Sequence, residues 1–164
     1  MPPRLHPVRS TYSVLAAHCR GENSSEAWAD WALELMGAGY DSEHIVLLAG
    51  TTPPFNGFEM DRLTARALAE AGIDASDTEQ VLREYAWYLA HRSLGGAMTY
   101  KEAVRRLSRG CSELDYPADL LAFYELNDIY DDPVLYGYRE DELAARAESE
   151  LCAWLQAFEA GTSA

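Results

Sequence analysis

Apolar residues recur every three to four positions through most of this chain, which is the spacing of an amphipathic α-helix. One face of the segment 26–36 would carry Trp28, Trp31, Ala32, Leu35 and Met36. Similar stripes follow in 57–71, from Ser76 to about Ser93, after Thr99, in 117–130 and from Leu143 to Phe158. The pattern predicts an all-α fold, a compact bundle of seven or eight short helices. It also predicts one domain over residues 1–164, with flexible ends at 1–10 and 160–164.

Capping signals predict where these helices begin. Ser24 or Ser25 can cap the first of them, and Pro117 favours the first turn of a later helix. The capping-box spacing, a short polar residue followed three positions later by glutamate, occurs at Asn56, Ser76 and Thr99. Glycines that follow several of the stripes predict their ends.

Two segments allow two interpretations each. The run 44–49 is almost continuously apolar, which predicts a central helix or, alternatively, a buried strand. The loop 51–57 contains Pro53, Pro54 and Phe55. Phe55 and Met60 have the spacing of a hydrophobic staple around a cap at Asn56, and the alternative is a recognition tip.

The charge balance narrows the classes of partner. The formal net charge is -14, from 27 acidic and 13 basic residues. An acidic surface repels nucleic acid and anionic membranes and suits a basic protein. The three cysteines lack paired spacing, which favours free thiols and a cytoplasmic location.

Sequence signatures of catalysis and metal binding are missing. The four histidines lack a partner at metal-ligand spacing, and neither a phosphate-binding loop nor a serine elbow occurs. We therefore expect no cofactor and no metal, and the sequence leans away from an enzyme.

An acidic, tyrosine-rich segment is the main candidate for a functional surface. Glu125, Asp128 and Asp132 stand at i, i+3 and i+7, which would place them on one helical face. They could form a solvated face, a surface for a cationic partner, or a site for a divalent ion or for acid–base chemistry. The predicted partner-binding residues are Tyr124, Glu125, Asp128, Tyr130, Asp131, Asp132, Tyr136 and Tyr138.

Two stretches carry a resemblance. They are Leu47-Leu-Ala-Gly-x-x-Pro-Pro-Phe-Asn56 and Arg92-Ser-Leu-Gly-Gly-x-Met-Thr-Tyr100 with Asp115-Tyr-Pro-x-Asp-Leu-x-x-Phe-Tyr124. Over residues 25–132 the chain resembles small, acidic, all-helical bacterial proteins, some of which look like immunity partners of secreted toxins. The resemblance implies an immunity or antitoxin-like inhibitor of a basic partner, and it transfers no catalytic residue.

Two alternatives belong to other classes. One is a small helical enzyme or divalent-ion-dependent protein that uses the clustered carboxylates. The other is a regulatory homo-oligomer, such as a homodimer, in which a stripe of Lys101, Arg105 and Arg109 meets the acidic face of a second copy. The same stripe could instead pair with acidic helices within the chain.

Overall fold

The structure, a computed structural model, describes residues 3–161, which form α-helices and no strand. The eight helices are α1 (Ser10–Cys19), α2 (Ser25–Gly37), α3 (Glu43–Ala49), α4 (Gly57–Glu70), α5 (Thr78–Leu94), α6 (Tyr100–Glu113), α7 (Leu121–Asp131) and α8 (Glu140–Glu159). The predicted all-α fold of seven or eight helices is confirmed.

The described chain divides into two compact units. The first is Leu5–Val81, and the second runs from Leu82 onward and includes Pro3 and Arg4, so the boundary falls within α5. The single domain predicted from the sequence stays a prediction. So does the flexibility of the ends, and its positions 1–2 and 162–164 lie outside the described residues.

In the first unit, α1 to α4 surround an apolar core. Trp28 and Trp31 of α2 pack edge to face with ring centroids 5.2 Å apart. Ile45 and Leu48 of α3 and Leu63 of α4 are buried in the same cluster. These side chains are large, and each buried one stabilises the unit by about 1.5–3 kcal/mol relative to an exposed position.

Helix α1 is absent from the sequence-based expectations. Its inward residues include Thr11, whose hydroxyl accepts a hydrogen bond from the Trp31 indole at 2.9 Å. The apolar residues of α1 are largely consecutive, from Val14 to Ala17, so no stripe with helical spacing marks the helix in the sequence. The bond satisfies an indole N–H that would otherwise be buried without a partner.

In the second unit, α6 packs against α7 and α8, and α7 packs against α8. The predicted stripe of α8 is buried, and Trp154 stacks on Phe158 with centroids 5.0 Å apart. Asp119 lies just before α7 and accepts hydrogen bonds from Trp154 at 3.0 Å and Arg83 at 2.9 Å. These polar contacts fix the start of α7 against its neighbours.

A buried carboxylate holds the N-terminal segment in this unit. Glu84 on α5 is 2% exposed and accepts hydrogen bonds from both the backbone N–H and the guanidinium of Arg4, at 2.9 and 2.8 Å. A carboxylate in such a position needs this compensation, because burying an unpaired charge is strongly unfavourable.

The predicted caps are correct at three helices. Ser24 accepts a hydrogen bond from the N–H of Ala27, Asn56 from that of Glu59, and Thr99 from that of Glu102. At α5 the prediction is wrong by one position. Asp77 rather than Ser76 accepts from the N–H of Gln80, since the helix begins at Thr78.

Three further expectations are corrected. The run 44–49 is not central, because α3 buries Ile45 and Leu48 but exposes Val46 and Leu47. Met36 at the end of α2 is also exposed. Helix α7 begins at Leu121, because the residues from Pro117 first form a separate turn in which the N–H of Leu120 donates to the Pro117 carbonyl.

Candidate functional site

The acidic segment begins on the exposed side of α7. Phe123, Leu126 and Ile129 bury one side of this helix. The opposite side is exposed, and we call it the α7 face; its members are Leu121, Tyr124, Glu125, Asp128 and Asp131. The helical period brings these positions together because they are separated by one, three or four residues.

The carboxylates of the α7 face lack partners within the described part of the chain. Glu125, Asp128 and Asp131 form no ion pair there. Asp128 and Asp131 also lie in the last turn of α7, which contains no basic residue. Negative charge at a helix C-terminus is unfavourable, by about 0.3–1 kcal/mol per group, because the helix dipole is negative at that end. No described cation compensates these charges.

Asp132 does not share the predicted helical face. Helix α7 ends at Asp131, and Asp132 has the non-helical backbone angles φ -143° and ψ 74°. Its carboxylate accepts a hydrogen bond from the N–H of Leu135 at 3.1 Å. Asp132 therefore has a structural role in the turn that follows the helix.

Two tyrosine rings meet at the N-terminal end of the α7 face. Tyr116 and Tyr124 are both exposed and pack edge to face with centroids 5.2 Å apart. Tyr116 and its neighbour Asp115 have φ values of 56° and 60°, a conformation that is strained by about 1–3 kcal/mol per non-glycine residue. A hydrogen bond with Tyr116 and the nearby charges of Tyr116 and Asp128 raise the pKa of Tyr124.

A short turn beyond α7 exposes three consecutive apolar or aromatic side chains. Val134 is 85%, Leu135 74% and Tyr136 50% exposed. We call these three residues the apolar turn. The N–H of Tyr138 donates to the Pro133 carbonyl at 2.9 Å, and that of Gly137 donates to the Val134 carbonyl at 3.1 Å. This pair of bonds, with Gly137 at φ 73°, is the Schellman arrangement that closes a helical turn.

The other two predicted tyrosines lie elsewhere. Tyr130 is half-buried and lies outside the α7 face, and burial is the main cause that raises its pKa. The hydroxyl of Tyr138 accepts a hydrogen bond from Arg146 at 2.7 Å, and the guanidinium of Arg146 lies 5.6 Å from the centre of its ring. Tyr138 therefore anchors the end of the apolar turn to α8.

The two arginines of the basic stripe of α6 pair within their own helix. Arg105 contacts Glu102 at 2.9 Å, and Arg109 contacts Glu113 at 2.8 Å. Hydrogen bonds from Arg105 and Arg106 lower the pKa of Glu102 to about 2. These pairs follow the i, i+3 and i, i+4 geometry expected on a helix surface.

Residues 3–161 contain neither a metal-binding cluster nor a membrane-spanning helix. No group of three or more His, Cys, Asp or Glu side chains is placed to hold a metal ion. No helix in the same range is both long and apolar enough to cross a membrane.

Sequence reasoning missed Tyr116, Leu121, Val134 and Leu135. The local signals for the turn were present, because Asp132, Pro133 and Gly137 are residues that form turns. Two adjacent apolar residues in such a turn are expected to be exposed rather than buried. Tyr116 carried no comparable signal, since its conformation follows from how α6 ends.

Comparisons with known proteins give no relative. No protein-family model matches this chain, and searches of curated proteins and of solved structures find no significant similarity.

Proposed function

We propose that this protein is a protein-binding module that recognises a basic protein through the α7 face, in the manner of an immunity or antitoxin-like inhibitor. The observation that carries the proposal is the placement of unpaired carboxylates. Asp128 and Asp131 oppose the helix dipole of α7 and form no ion pair with described residues. Charges that the fold does not use, and that slightly destabilise it, suit an external partner.

The neighbouring tyrosines support the same function. Tyr124 and Tyr116 present ring surface beside Asp128, and tyrosine is enriched in protein interfaces because its ring is amphipathic and loses little conformational entropy on binding. An arginine of the partner could stack on such a ring and donate to the adjacent carboxylate. Within the chain, Arg146 lies over the ring of Tyr138 and donates a hydrogen bond to its hydroxyl.

Electrostatic attraction would act mainly on the rate of encounter. A chain of net charge -14 attracts a basic protein over a distance comparable with the Debye length, about 8 Å at physiological salt. Raised salt should therefore slow association. Blocking the basic site of a toxin, such as a nuclease, would need carboxylates placed where phosphates otherwise bind, and the carboxylates of the α7 face are the ones we assign to this role.

The test compares two double charge reversals. Asp128→Lys with Asp131→Lys alters the α7 face, and Glu26→Lys with Asp30→Lys alters exposed carboxylates of α2 in the other unit by the same total charge. Each variant is used to capture proteins from native lysate at low salt, with elution at high salt and mass spectrometry.

We expect the wild type and the α2 variant to retain the same basic protein and the α7 variant to lose it. The α7 variant should be no less stable than the wild type, because lysine is favourable at a helix C-terminus. Equal retention by all three chains, or no basic protein on the wild type, would contradict the proposal.

A further inference from the structure

We infer that the apolar turn, Val134, Leu135 and Tyr136, is a preformed anchor that inserts into an apolar cleft beside the basic site of the same partner. This inference rests on the proposed function. It adds a second contact of different chemistry and commits to one occupant, a basic protein with such a cleft.

The exposure of the turn is the first argument. Val134 and Leu135 are 85% and 74% exposed, although aliphatic side chains of this size stabilise a fold when they are buried. They are consecutive, and Tyr136 follows directly. Scattered surface hydrophobes are ordinary, but adjacent ones at the tip of one turn form a single contact area.

The second argument is that the turn is already ordered. Asp132 caps its start, Gly137 closes its end, and Arg146 holds the following Tyr138. The side chains that would enter the partner are therefore presented on a fixed backbone. Preorganisation of this kind strengthens binding because less conformational entropy is lost on association.

Charge identifies the occupant. Asp131 precedes the turn and the exposed Glu140 follows it, both without an ion pair among the described residues, whereas Asp141 pairs with Arg139. An apolar centre with a charged rim is the usual composition of a protein interface. Anionic lipids and nucleic-acid phosphates would be repelled by the same rim, whereas a basic protein would be attracted.

The chain supplies a closely matched control. Val46 and Leu47 form a second exposed Val–Leu pair, on α3 in the other unit. The test variant is Val134→Thr with Leu135→Gln, and the control is Val46→Thr with Leu47→Gln. Both replacements keep side-chain size and remove apolar surface, and none of the four side chains belongs to a core.

The probe is the basic protein that the wild-type chain retains at low salt and releases at high salt. It is purified, and its binding to each immobilised variant is measured. We expect the turn variant to weaken binding about ten-fold or more, as loss of an interface anchor does. The loss should lie in the dissociation rate, with the salt dependence of association unchanged. The control variant should bind as the wild type does.

A second measurement locates the contact directly. Benzoylphenylalanine at position 135 should cross-link to the probe protein on irradiation, and the same residue at position 47 should not. Binding within two-fold of wild type by the turn variant, or equal cross-linking from both positions, overturns the inference. Cross-linking from position 135 to a second copy of the chain also overturns it.

The outcomes separate the two proposals. If the α7 charge reversal abolishes binding and the turn variant does not affect it, the anchor is wrong and the function stands. If neither variant changes binding, or the wild type retains no basic protein, both are wrong.

Discussion

At the scale of single residues, the described carboxylates divide into those the fold uses and those it does not. Glu84 is buried and bound by Arg4, and Glu102 is held by Arg105 and Arg106. Asp128 and Asp131, by contrast, face solvent without a cation among the described residues. Carboxylates of the second kind are the ones available for recognition.

Breaking the contact between Arg4 and Glu84 should be strongly destabilising. Arg4→Met removes the guanidinium that compensates the Glu84 carboxylate, which is 2% exposed in the wild type, so we expect the free energy of unfolding in urea to fall by about 3 kcal/mol. Adding Glu84→Met should restore much of the loss, because the buried charge is then gone as well.

Arg139→Met is the matched control for that experiment. Its ion pair with Asp141 is exposed, and exposed pairs contribute about 0–1 kcal/mol. A similar loss from Arg4→Met and Arg139→Met would show that the N-terminal segment is not held through Glu84.

At the scale of helices, the backbone conformation of a glycine decides whether its replacement by alanine stabilises or destabilises the fold. Gly110 lies inside α6 and Gly137 closes the apolar turn at φ 73°, and an added Cβ meets no atom within 4 Å at either position. Gly110→Ala should raise the free energy of unfolding by about 0.5–1 kcal/mol. Gly137→Ala should lower it by about 1 kcal/mol or more.

Urea denaturation measures both effects, and Gly137→Ala should also weaken binding of the proposed basic partner. Gly110→Ala should leave binding unchanged, since α6 contributes no residue to the α7 face or the apolar turn. An increase in stability from Gly137→Ala would show that the turn does not require its left-handed residue.

Most helices could be predicted from the sequence because caps and apolar stripes are local signals. Ser24, Asn56 and Thr99 act within one turn of themselves, so no knowledge of the tertiary fold was needed. The exposure of Val46 and Leu47 could not be predicted in the same way, because it depends on which side of α3 the neighbouring helices cover.

The candidate site was predictable only in part. The shared face of Tyr124, Glu125, Asp128 and Asp131 follows from helical spacing alone. Asp132 lies outside the helix because α7 ends at Asp131. Its carboxylate caps the next turn instead. The same helical spacing places Tyr130 outside the shared face, and only the degree of its burial depends on the packing of α7.

At the scale of the whole molecule, the net charge of -14 should make stability depend on salt. Excess like charge destabilises a folded chain by self-repulsion, and added salt screens it. We expect the melting temperature to rise between low salt and about 0.15 M sodium chloride. Choline chloride should give the same rise if screening rather than a specific ion is the cause.

The α7 double reversal provides the comparison. With two carboxylates replaced by lysines the self-repulsion is smaller, so the increase in melting temperature with salt should be smaller too. A wild-type melting temperature that stays constant or falls as salt is added would mean that the charges are already compensated in the folded chain.

The way the apolar turn is closed has a consequence for how this protein can diverge. Its frame is made by backbone bonds, the Asp132 cap and Gly137, none of which depends on the side chains at positions 134–136. The residues at positions 134–136 can therefore be substituted without altering how the chain folds. Substitutions at these positions could follow changes in a binding partner while the scaffold stays the same. Related sequences should therefore vary at positions 134–136 and retain Asp132 and Gly137.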